Sequence, residues 1–303
     1  MESDRNNVIV MDGGMGQELR RRSSRPPSPL WSAQVMLDEP ELVVSAHRDY
    51  IEAGAKVIIL NTYSATPQRL ERDAEPGLFE PLHAAALDAA HKARDASGKE
   101  DIRIAGCLPP LVGSYHHEIV PDNAACLKSY RRIVATQANG VDLFICETMS
   151  LAREALAAVK AAVESNLPVW VSFTVDDGDG ARLRSGESLA EAAEKVVRNG
   201  AEGLLVNCSA PEAVTTAMDV LSRFNVTYGG YANGFKSVDA LEPGGTVDVL
   251  EARKDLDPAA YAEYALGWAK HGAGIIGGCC EVGPAHIRAL AEKLVDHGFT
   301  REQ

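Results

Sequence analysis

The chain has 303 residues, of which 46% are hydrophobic and 24% are charged, a composition typical of a globular protein with a large core. Its formal net charge of -13 argues against nucleic acid as a partner, because an acidic surface repels phosphate groups. No apolar run approaches the ~18 residues that a transmembrane helix needs, and residues 1–7 contain no signal-peptide core. We therefore expect a cytoplasmic protein that binds neither membranes nor nucleic acid, with residues 1–7 as a flexible N-terminus.

Short apolar or β-branched segments recur along the chain and predict strands at 8–11, 57–60, 102–107, 142–146, 169–174, 203–207, 227–232 and 274–278. Segments rich in Ala, Glu and Leu lie between them and predict helices at 39–53, 81–96, 124–138, 151–165, 188–199, 211–222, 258–271 and 284–297. Several of these helices begin near a proline, and glycines such as Gly54 and Gly200 stand just past their ends. The alternation indicates parallel βαβ units.

Two architectures fit this alternation, a closed eight-stranded barrel and an open doubly wound sheet. The open sheet usually carries a G-x-G-x-x-G loop after its first strand, and residues 12–16, DGGMG, lack that spacing. No interdomain linker stands out, so we expect residues 1–303 to form one domain. The long loops 20–29 and 234–257 follow predicted strands and are either mobile surface loops or lids over a site.

Polar residues stand at the carboxyl ends of the predicted strands, which meet at one rim of a barrel. In chain order they are Asp12, Asn61 to Tyr63, Glu147 and Thr148, Asn207 and Cys208, Asn233, and the pair Cys279 and Cys280. Each one alone is explained as a cap of the following helix. Several acids and three thiols together predict a functional site.

The six cysteines, Cys107, Cys126, Cys146, Cys208, Cys279 and Cys280, are too sparse for a disulfide scaffold. The first three sit in apolar segments and are expected to be inert core residues. Adjacent side chains on a strand point to opposite faces, so Cys279 and Cys280 bind one ion only if the backbone bends, which glycines 277–278 permit. A strained disulfide between these neighbours and a pair of inert buried thiols are the alternatives. With Cys208 they form a three-thiolate set that suits zinc and leaves a fourth position for substrate.

Such a site predicts alkyl transfer to sulfur. A metal ion deprotonates a substrate thiol that enters its open position. The resulting thiolate stays nucleophilic at neutral pH, where a free thiol is mostly protonated.

Residues from about 8 to 294 resemble the homocysteine S-methyltransferase family. The matching segments are 11–16 (MDGGMG), 29–33 (PLWSA), 47–55 (HRDYIEAGA), 61–63 (NTY), 140–148 (GVDLFICET), 206–208 (VNC) and 277–280 (GGCC). The last two correspond in order and separation to the zinc-ligand motifs of the family. The resemblance implies a single (β/α)8 TIM barrel, a Zn²⁺ cofactor, small-molecule substrates and the methylation of homocysteine to methionine.

The resemblance also implies roles for individual residues. The implied zinc ligands, which are also the catalytic residues, are Cys208, Cys279 and Cys280, and the implied substrate-binding residues are Asp12, Gly13, Thr62, Glu147 and Asn233. Asp12 and Glu147 align with acids that hold the amino group of homocysteine, and helix capping is their alternative role. Thr62 lies in a segment that helps to bind the amino acid, and Asn233 falls where some relatives place a group near the open metal position. A turn is the alternative role of both.

One segment departs from the pattern of the family. After the third strand the family usually has a Gly-Ser-x-Gly-Pro-Tyr-Gly-like sequence, whereas residues 112–119 read VGSYHHEI. We expect His116 and His117 to be loop or cleft residues, not metal ligands, in a loop that overhangs the approach of the methyl donor. Short relatives favour S-methylmethionine as this donor. S-adenosylmethionine, a betaine-like compound, a methylated corrinoid on a separate protein and a selenol acceptor remain alternatives.

Two functions from other classes are alternatives. A barrel lyase or hydrolase with zinc as Lewis acid usually has His and carboxylate ligands, so three cysteines argue against it. A non-catalytic zinc-binding barrel would not need Asp12 and Glu147.

Overall fold

Eight parallel strands follow one another in chain order around a ring. The computed structural model describes residues 6–25, 30, 32–245 and 247–301. The strands are β1 (Asn7–Val10), β2 (Val57–Ile59), β3 (Arg103–Leu108), β4 (Leu143–Met149), β5 (Val169–Phe173), β6 (Gly203–Asn207), β7 (Thr227–Tyr231) and β8 (Ile275–Ile276). Strand β8 pairs with β1, and a bridge between Met11 and Val57 joins β1 to β2. The fold is the predicted (β/α)8 barrel.

Helices connect the strands. They are α1 (Met15–Arg22), α2 (Ser32–Asp38), α3 (Pro40–Ala53), α4 (Pro67–Asp73), α5 (Phe79–Ser97), α6 (Asn123–Gln137), α7 (Ala152–Val163), α8 (Leu189–Val197), α9 (Pro211–Leu221), α10 (Pro258–His271) and α11 (Pro284–Asp296). The eight predicted helices correspond to α3 and to α5 through α11. Helices α1, α2 and α4 were not predicted, nor was the short strand β9 (Thr300–Arg301), which pairs with β1. Within the described ranges, no helix combines the length and the apolar character needed to cross a membrane.

Three sequence predictions need correction. The predicted loop 20–29 begins as helix, because α1 continues to Arg22, and residues 26–29 lie outside the described residues. Strand β4 runs to Met149, so Glu147 and Thr148 belong to the strand instead of following it. Asn7 already begins β1, whereas residues 1–5 of the predicted flexible N-terminus, like Trp31, lie outside the described residues.

The barrel interior is filled by side chains at every second strand position. On β1 and just past it, Ile9 and Met11 join the interior cluster, whereas Val8 and Val10 belong to the larger apolar cluster that includes helix residues. On β4, Leu143 and Ile145 point inward in the same way. Because strand side chains alternate with a period of two, Glu147 continues this inward series at the carboxyl end of the strand. The packed interior thus forms the floor beneath the polar residues of the rim.

Gly229 on β7 lets the neighbouring strand come close, and its replacement should weaken the barrel. A Cβ atom there would lie 1.7 Å from the carbonyl oxygen of Ile275, its pairing partner on β8. The Gly229→Ala variant must therefore displace backbone, which we expect to cost about 1–3 kcal/mol or more and to lower the melting temperature measured by circular dichroism.

The matched control is Gly267→Ala in α10, where an added Cβ meets no heavy atom within 4 Å. Alanine is the better helix former, so this variant should melt at the same temperature as the wild type or higher. A melting temperature of Gly229→Ala equal to that of the wild type would contradict the close-approach argument.

Candidate functional site

Three cysteines from two loops converge at the carboxyl ends of the strands. Cys208 follows β6, and Cys279 and Cys280 follow β8, with β7 between the two strands. The Cys208 Sγ lies 2.9 Å from the Cys279 Sγ and 3.9 Å from the Cys280 Sγ. All six cysteines of the chain are free, so Cys279 and Cys280 do not form the alternative disulfide. The bend that the glycines permit is present, because the neighbouring thiols face one point.

The donor set fits a metal ion. All three Sγ atoms lie within 4.8 Å of one another, and in the described part of the chain no other group of three or more His, Cys, Asp or Glu residues does so. Tetrahedral zinc with Zn–S bonds of about 2.3 Å places its sulfur ligands about 3.8 Å apart. The pair Cys208 and Cys280 matches this spacing, whereas Cys208 and Cys279 must separate by about 1 Å. Three thiolates select zinc over magnesium or calcium.

Hydrogen bonds among the three thiols shift their pKa values in different directions. The bonds from Cys279 and Cys280 lower the pKa of the Cys208 thiol, and the pKa values of Cys279 and Cys280 are raised by their bonds to Cys208. The Tyr115 hydroxyl also donates to the Cys208 Sγ, at 3.1 Å. A thiolate is therefore stabilised at Cys208, and a metal ion must displace the remaining thiol protons when it binds.

Two buried acids share one cleft with the cysteines. Asp12 is 2% exposed and Glu147 is 8% exposed, and both line this cleft together with Gly13. Burial raises the pKa of Glu147 to about 7, and burial raises the pKa of Asp12 well above its usual value. No cationic side chain of the described residues offsets either shift. Two acids without a cationic partner make this part of the cleft suitable for a cationic group.

Cys107 is a buried core residue, as predicted, and it also contacts one of these acids. Its Sγ donates to the Glu147 Oε1 at 2.8 Å. Burial, followed by the charge of Glu147, raises the pKa of the Cys107 thiol, which therefore keeps its proton and acts as a donor. The Tyr231 hydroxyl lies 3.5 Å from the other oxygen, Oε2. Cys126 and Cys146 are buried, as predicted.

Thr62 lies behind this carboxylate and is not among the residues that line the cleft. The Gln137 Nε2 donates to the Thr62 Oγ1 at 3.2 Å, and the Gln137 Oε1 accepts from the Cys107 backbone N–H at 3.0 Å. Thr62 thus belongs to a buried network that supports Cys107.

Asn233 is also outside the cleft lining, although it flanks the cysteine loop. Its Oδ1 accepts from the Phe235 backbone N–H at 3.1 Å, and its Nδ2 is buried without a hydrogen-bond partner. The next residue, Gly234, donates to the Cys280 carbonyl at 2.8 Å.

Two loops border the cleft: loop 113–119, which was expected to overhang it, and loop 234–257, one of the two predicted lids. The described part of the other predicted lid, 20–29, does not line this cleft. Ser114 and Tyr115 line it from loop 113–119, and Leu241, Gly244, Gly245 and Val247 line it from loop 234–257. His116 joins the loops, because its Nε2 lies 2.8 Å from the Leu241 carbonyl and its Nδ1 lies 2.7 Å from the Glu118 carboxylate. Neither His116 nor His117 belongs to the metal-ligating group.

The backbone at the site is strained. Five non-glycine residues of the described chain have positive φ, and four of them, Tyr115 (70°), Thr148 (59°), Cys208 (50°) and Glu281 (66°), lie in or beside the cleft. This left-handed conformation favours glycine, so its cost is concentrated where the functional groups converge.

Known proteins resemble this chain over nearly its whole length. A sequence profile for homocysteine S-methyltransferase matches residues 9–294. A homocysteine S-methyltransferase from Escherichia coli is 31% identical over 95% of this chain and 95% of its own length. A selenocysteine methyltransferase from Astragalus bisulcatus is 29% identical over 95% of this chain and 92% of its own length. The metallated crystal form of the Escherichia coli homocysteine methyltransferase superposes with a TM-score of 0.80 at 27% identity, over 96% of this chain and 98% of that one.

Proposed function

The chain belongs to the homocysteine S-methyltransferase family, and from this premise we propose that it uses zinc to methylate homocysteine to methionine, with S-methylmethionine as donor. One observation carries the proposal: the three thiols share a cleft with two buried acids that have no cationic partner. The thiols suit a metal that activates sulfur, and the acids suit the ammonium group of an amino acid. One continuous sheet contains every strand from β1 to β9, which supports the proposal that residues 1–303 form one domain.

The proposed substrate position places the amino group of homocysteine between Asp12 and Glu147. Cys107 holds the Glu147 carboxylate from behind, and the Ile59 backbone N–H donates to the Asp12 Oδ2 at 2.8 Å. These bonds orient both acids before the substrate arrives. Burial disfavours the ionised form of the two carboxyl groups, and the positive charge of the ammonium group offsets this cost.

The amino end of α1 is the proposed position of the homocysteine carboxylate. Residues 13–17 line the cleft, and no side chain caps this helix. A helix amino terminus offers free N–H groups and a positive dipole end to an anion. Gln17 lines the same place, and its buried side-chain amide, which lowers the pKa of the Cys280 thiol, has a second N–H that can donate to a carboxylate oxygen.

Zinc held by Cys208, Cys279 and Cys280 would deprotonate the thiol of homocysteine and keep the sulfur nucleophilic. The sulfur attacks the methyl carbon of the donor from the side opposite the leaving group. A new carbon–sulfur bond forms as the bond to the donor sulfur breaks, and the electron pair stays on the donor sulfur. S-methylmethionine then becomes neutral methionine, homocysteine becomes a second methionine, and the thiol proton is released.

One assay compares the other possible methyl donors and acceptors. S-adenosylmethionine and betaine-like compounds undergo the same displacement, and a selenol is the second acceptor to compare, since one relative is a selenocysteine methyltransferase. A panel of these compounds with the zinc-loaded protein identifies the preferred pair. Absence of methylation with every pair would contradict the proposed function.

Zinc-edge X-ray absorption tests the position of the thiol directly. Added homocysteine is expected to change three sulfur neighbours and one lighter atom into four sulfurs, whereas the donor alone should change nothing. Binding should also release about one proton near pH 7, because the free thiol is protonated there. Homocysteine binding without a new sulfur neighbour would mean that zinc is structural and that Asp12 or Glu147 acts as a base.

A further inference from the structure

One cation in the cleft has no carboxylate partner. Arg69 on α4 lines the same cleft as the three cysteines. Its Nε and Nη2 donate to the Pro110 carbonyl at 3.3 and 3.1 Å, and Nη2 also lies 3.5 Å from the Ser114 Oγ. Within the described residues no carboxylate is in ion-pair contact with it. Two carboxylates, Glu154 and Asp73, act on it at longer range. The Glu154 Oε1 accepts from the Leu111 backbone N–H, and the Glu154 Oε2 is buried without a hydrogen-bond partner.

Arg72 provides the contrast on the same helix and in the same cleft. Its Nε and Nη2 donate to the two oxygens of Asp73 at 2.7 and 2.6 Å, and its Nη1 donates to the Val112 carbonyl. The guanidinium of Arg72 is thus neutralised by a bidentate pair, and that of Arg69 is not. Arg69 is therefore the cation without a direct carboxylate ion pair among the described residues that line the cleft.

Apart from Arg69 itself and the pair Arg72 and Asp73, the ionisable side chains that line the cleft are carboxyl groups, thiols and tyrosine hydroxyls, none of which carries a positive charge. Asp12, Glu147 and the three thiols all favour a cation, which suits the sulfonium or ammonium centre of a methyl donor. A carboxylate on the same donor is repelled by these groups and needs a positive partner. We propose that Arg69 binds the carboxylate of the methyl donor, and that the enzyme thereby selects small onium donors that carry a carboxylate. This inference rests on the proposed function.

The position of Arg69 favours the donor over homocysteine. Its guanidinium lies 5.2 Å from the centre of the Tyr63 ring, and the Tyr63 hydroxyl lies 2.7 Å from the Ser114 Oγ in loop 113–119. Arg69 and Tyr63 belong to the connection after β2, whereas the α1 terminus and Gln17, the proposed site of the homocysteine carboxylate, follow β1. The next residue of the loop, Tyr115, contacts the Cys208 Sγ. A donor anchored at Arg69 therefore lies alongside the metal ligands.

The test compares two donors that differ only in the amino-acid end. S-methylmethionine carries the carboxylate, and dimethylpropylsulfonium keeps the sulfonium but lacks both the amino and the carboxyl group. In Arg69→Gln, the KM for S-methylmethionine should rise about 10- to 100-fold, because a charged hydrogen bond is lost. The homocysteine KM and the rate with dimethylpropylsulfonium should change less than about threefold. Arg69→Lys should recover part of the loss, because it keeps the charge.

Arg72→Gln is the matched control, because it removes the same charge from the same helix. Its effect on the S-methylmethionine KM should be much smaller, since Asp73 already neutralises Arg72. Equal effects of the two variants would overturn the proposal, because they would show that any positive charge in the cleft attracts the donor carboxylate, without direct binding by Arg69. A rise in the homocysteine KM, or an equal loss with both donors in Arg69→Gln, would also overturn it.

Calorimetric binding of S-methylmethionine to the zinc-loaded protein, without homocysteine, gives a readout that needs no turnover. The wild type should bind S-methylmethionine more tightly than dimethylpropylsulfonium, and Arg69→Gln should lose that preference. Equal binding of both compounds by the wild type would overturn the proposal. This outcome is separate from failure of the proposed function, which appears as absence of methylation with every donor.

Discussion

Cys280→Ser is expected to lose both its zinc and its methyltransferase activity. A serine hydroxyl is a poor zinc ligand at neutral pH, and the two remaining thiols cannot hold the ion in an open site. We expect methyl transfer to fall by more than about 100-fold, since even outer-shell changes at metal sites cost 10- to 100-fold. Elemental analysis of the purified variant measures the zinc directly, with about one ion per chain expected in the wild type.

Cys126→Ser is the matched control for this substitution. The Cys126 Sγ donates to the Pro121 carbonyl at 3.3 Å, a bond that a hydroxyl can also make, and the residue lies outside the cleft lining. This variant should keep its zinc and its activity. Full zinc occupancy in Cys280→Ser would contradict the three-cysteine site.

Glu147→Ala is expected to raise the KM for homocysteine strongly while zinc stays bound. Loss of a charged hydrogen bond in a buried site costs roughly 1.5–3 kcal/mol, or about 10- to 150-fold in affinity. The KM for the donor should be unaffected, because Glu147 is proposed to bind the acceptor. Unchanged kinetics for homocysteine would mean that Glu147 has no role in binding.

An acceptor without the amino group gives the sharper comparison. The compound 4-sulfanylbutanoate has the thiol and the carboxylate of homocysteine but no ammonium group. Glu147→Ala should reduce the use of homocysteine without reducing the use of 4-sulfanylbutanoate. Equal losses with both acceptors would show that the variant disturbs the cleft as a whole.

The pH dependence provides a further check on Glu147. Its pKa is raised to about 7, so the carboxyl group gains a proton and loses its charge as the pH falls through this value. Homocysteine binding by the wild type should therefore weaken below pH 7. The comparison is made with Glu147→Gln, which has no carboxyl group at this position. Titration of the substrate thiol affects the wild type and the variant equally, so the difference between their pH profiles measures the contribution of the Glu147 carboxylate.

Much of the fold followed from local patterns. The run GLLVN has the length and composition of a buried strand, and β6 has the predicted bounds. Helix α4 was missed, because Leu70 is the one buried apolar side chain among its seven residues, which is too few to show an apolar period. The extension of β4 through Glu147 was missed as well, because the pairing with β5 becomes irregular between Cys146 and Met149.

The convergence of the three cysteines was predictable, because parallel strands end on one rim. The role of Cys107 was missed, since its apolar surroundings indicate a core residue. The pairing of β3 with β4 explains the contact. Leu108, the residue after Cys107, pairs with Cys146, the residue before Glu147, so Cys107 and Glu147 lie on neighbouring strands close to each other. The role of Arg69 could not be predicted, because a missing carboxylate partner is a property of the packed structure.

The left-handed residues around the cleft have a consequence for how this protein can evolve. Each such residue costs on the order of 1 kcal/mol relative to glycine, against a net folding stability of roughly 5–15 kcal/mol. Selection for heat resistance alone should therefore favour glycine at Thr148 and Tyr115, and even at Cys208, where a proposed metal ligand would be lost. At these few positions selection for stability favours glycine, whereas selection for activity favours the present residues. A thermostable descendant is expected to gain its stability in the helices outside the ring.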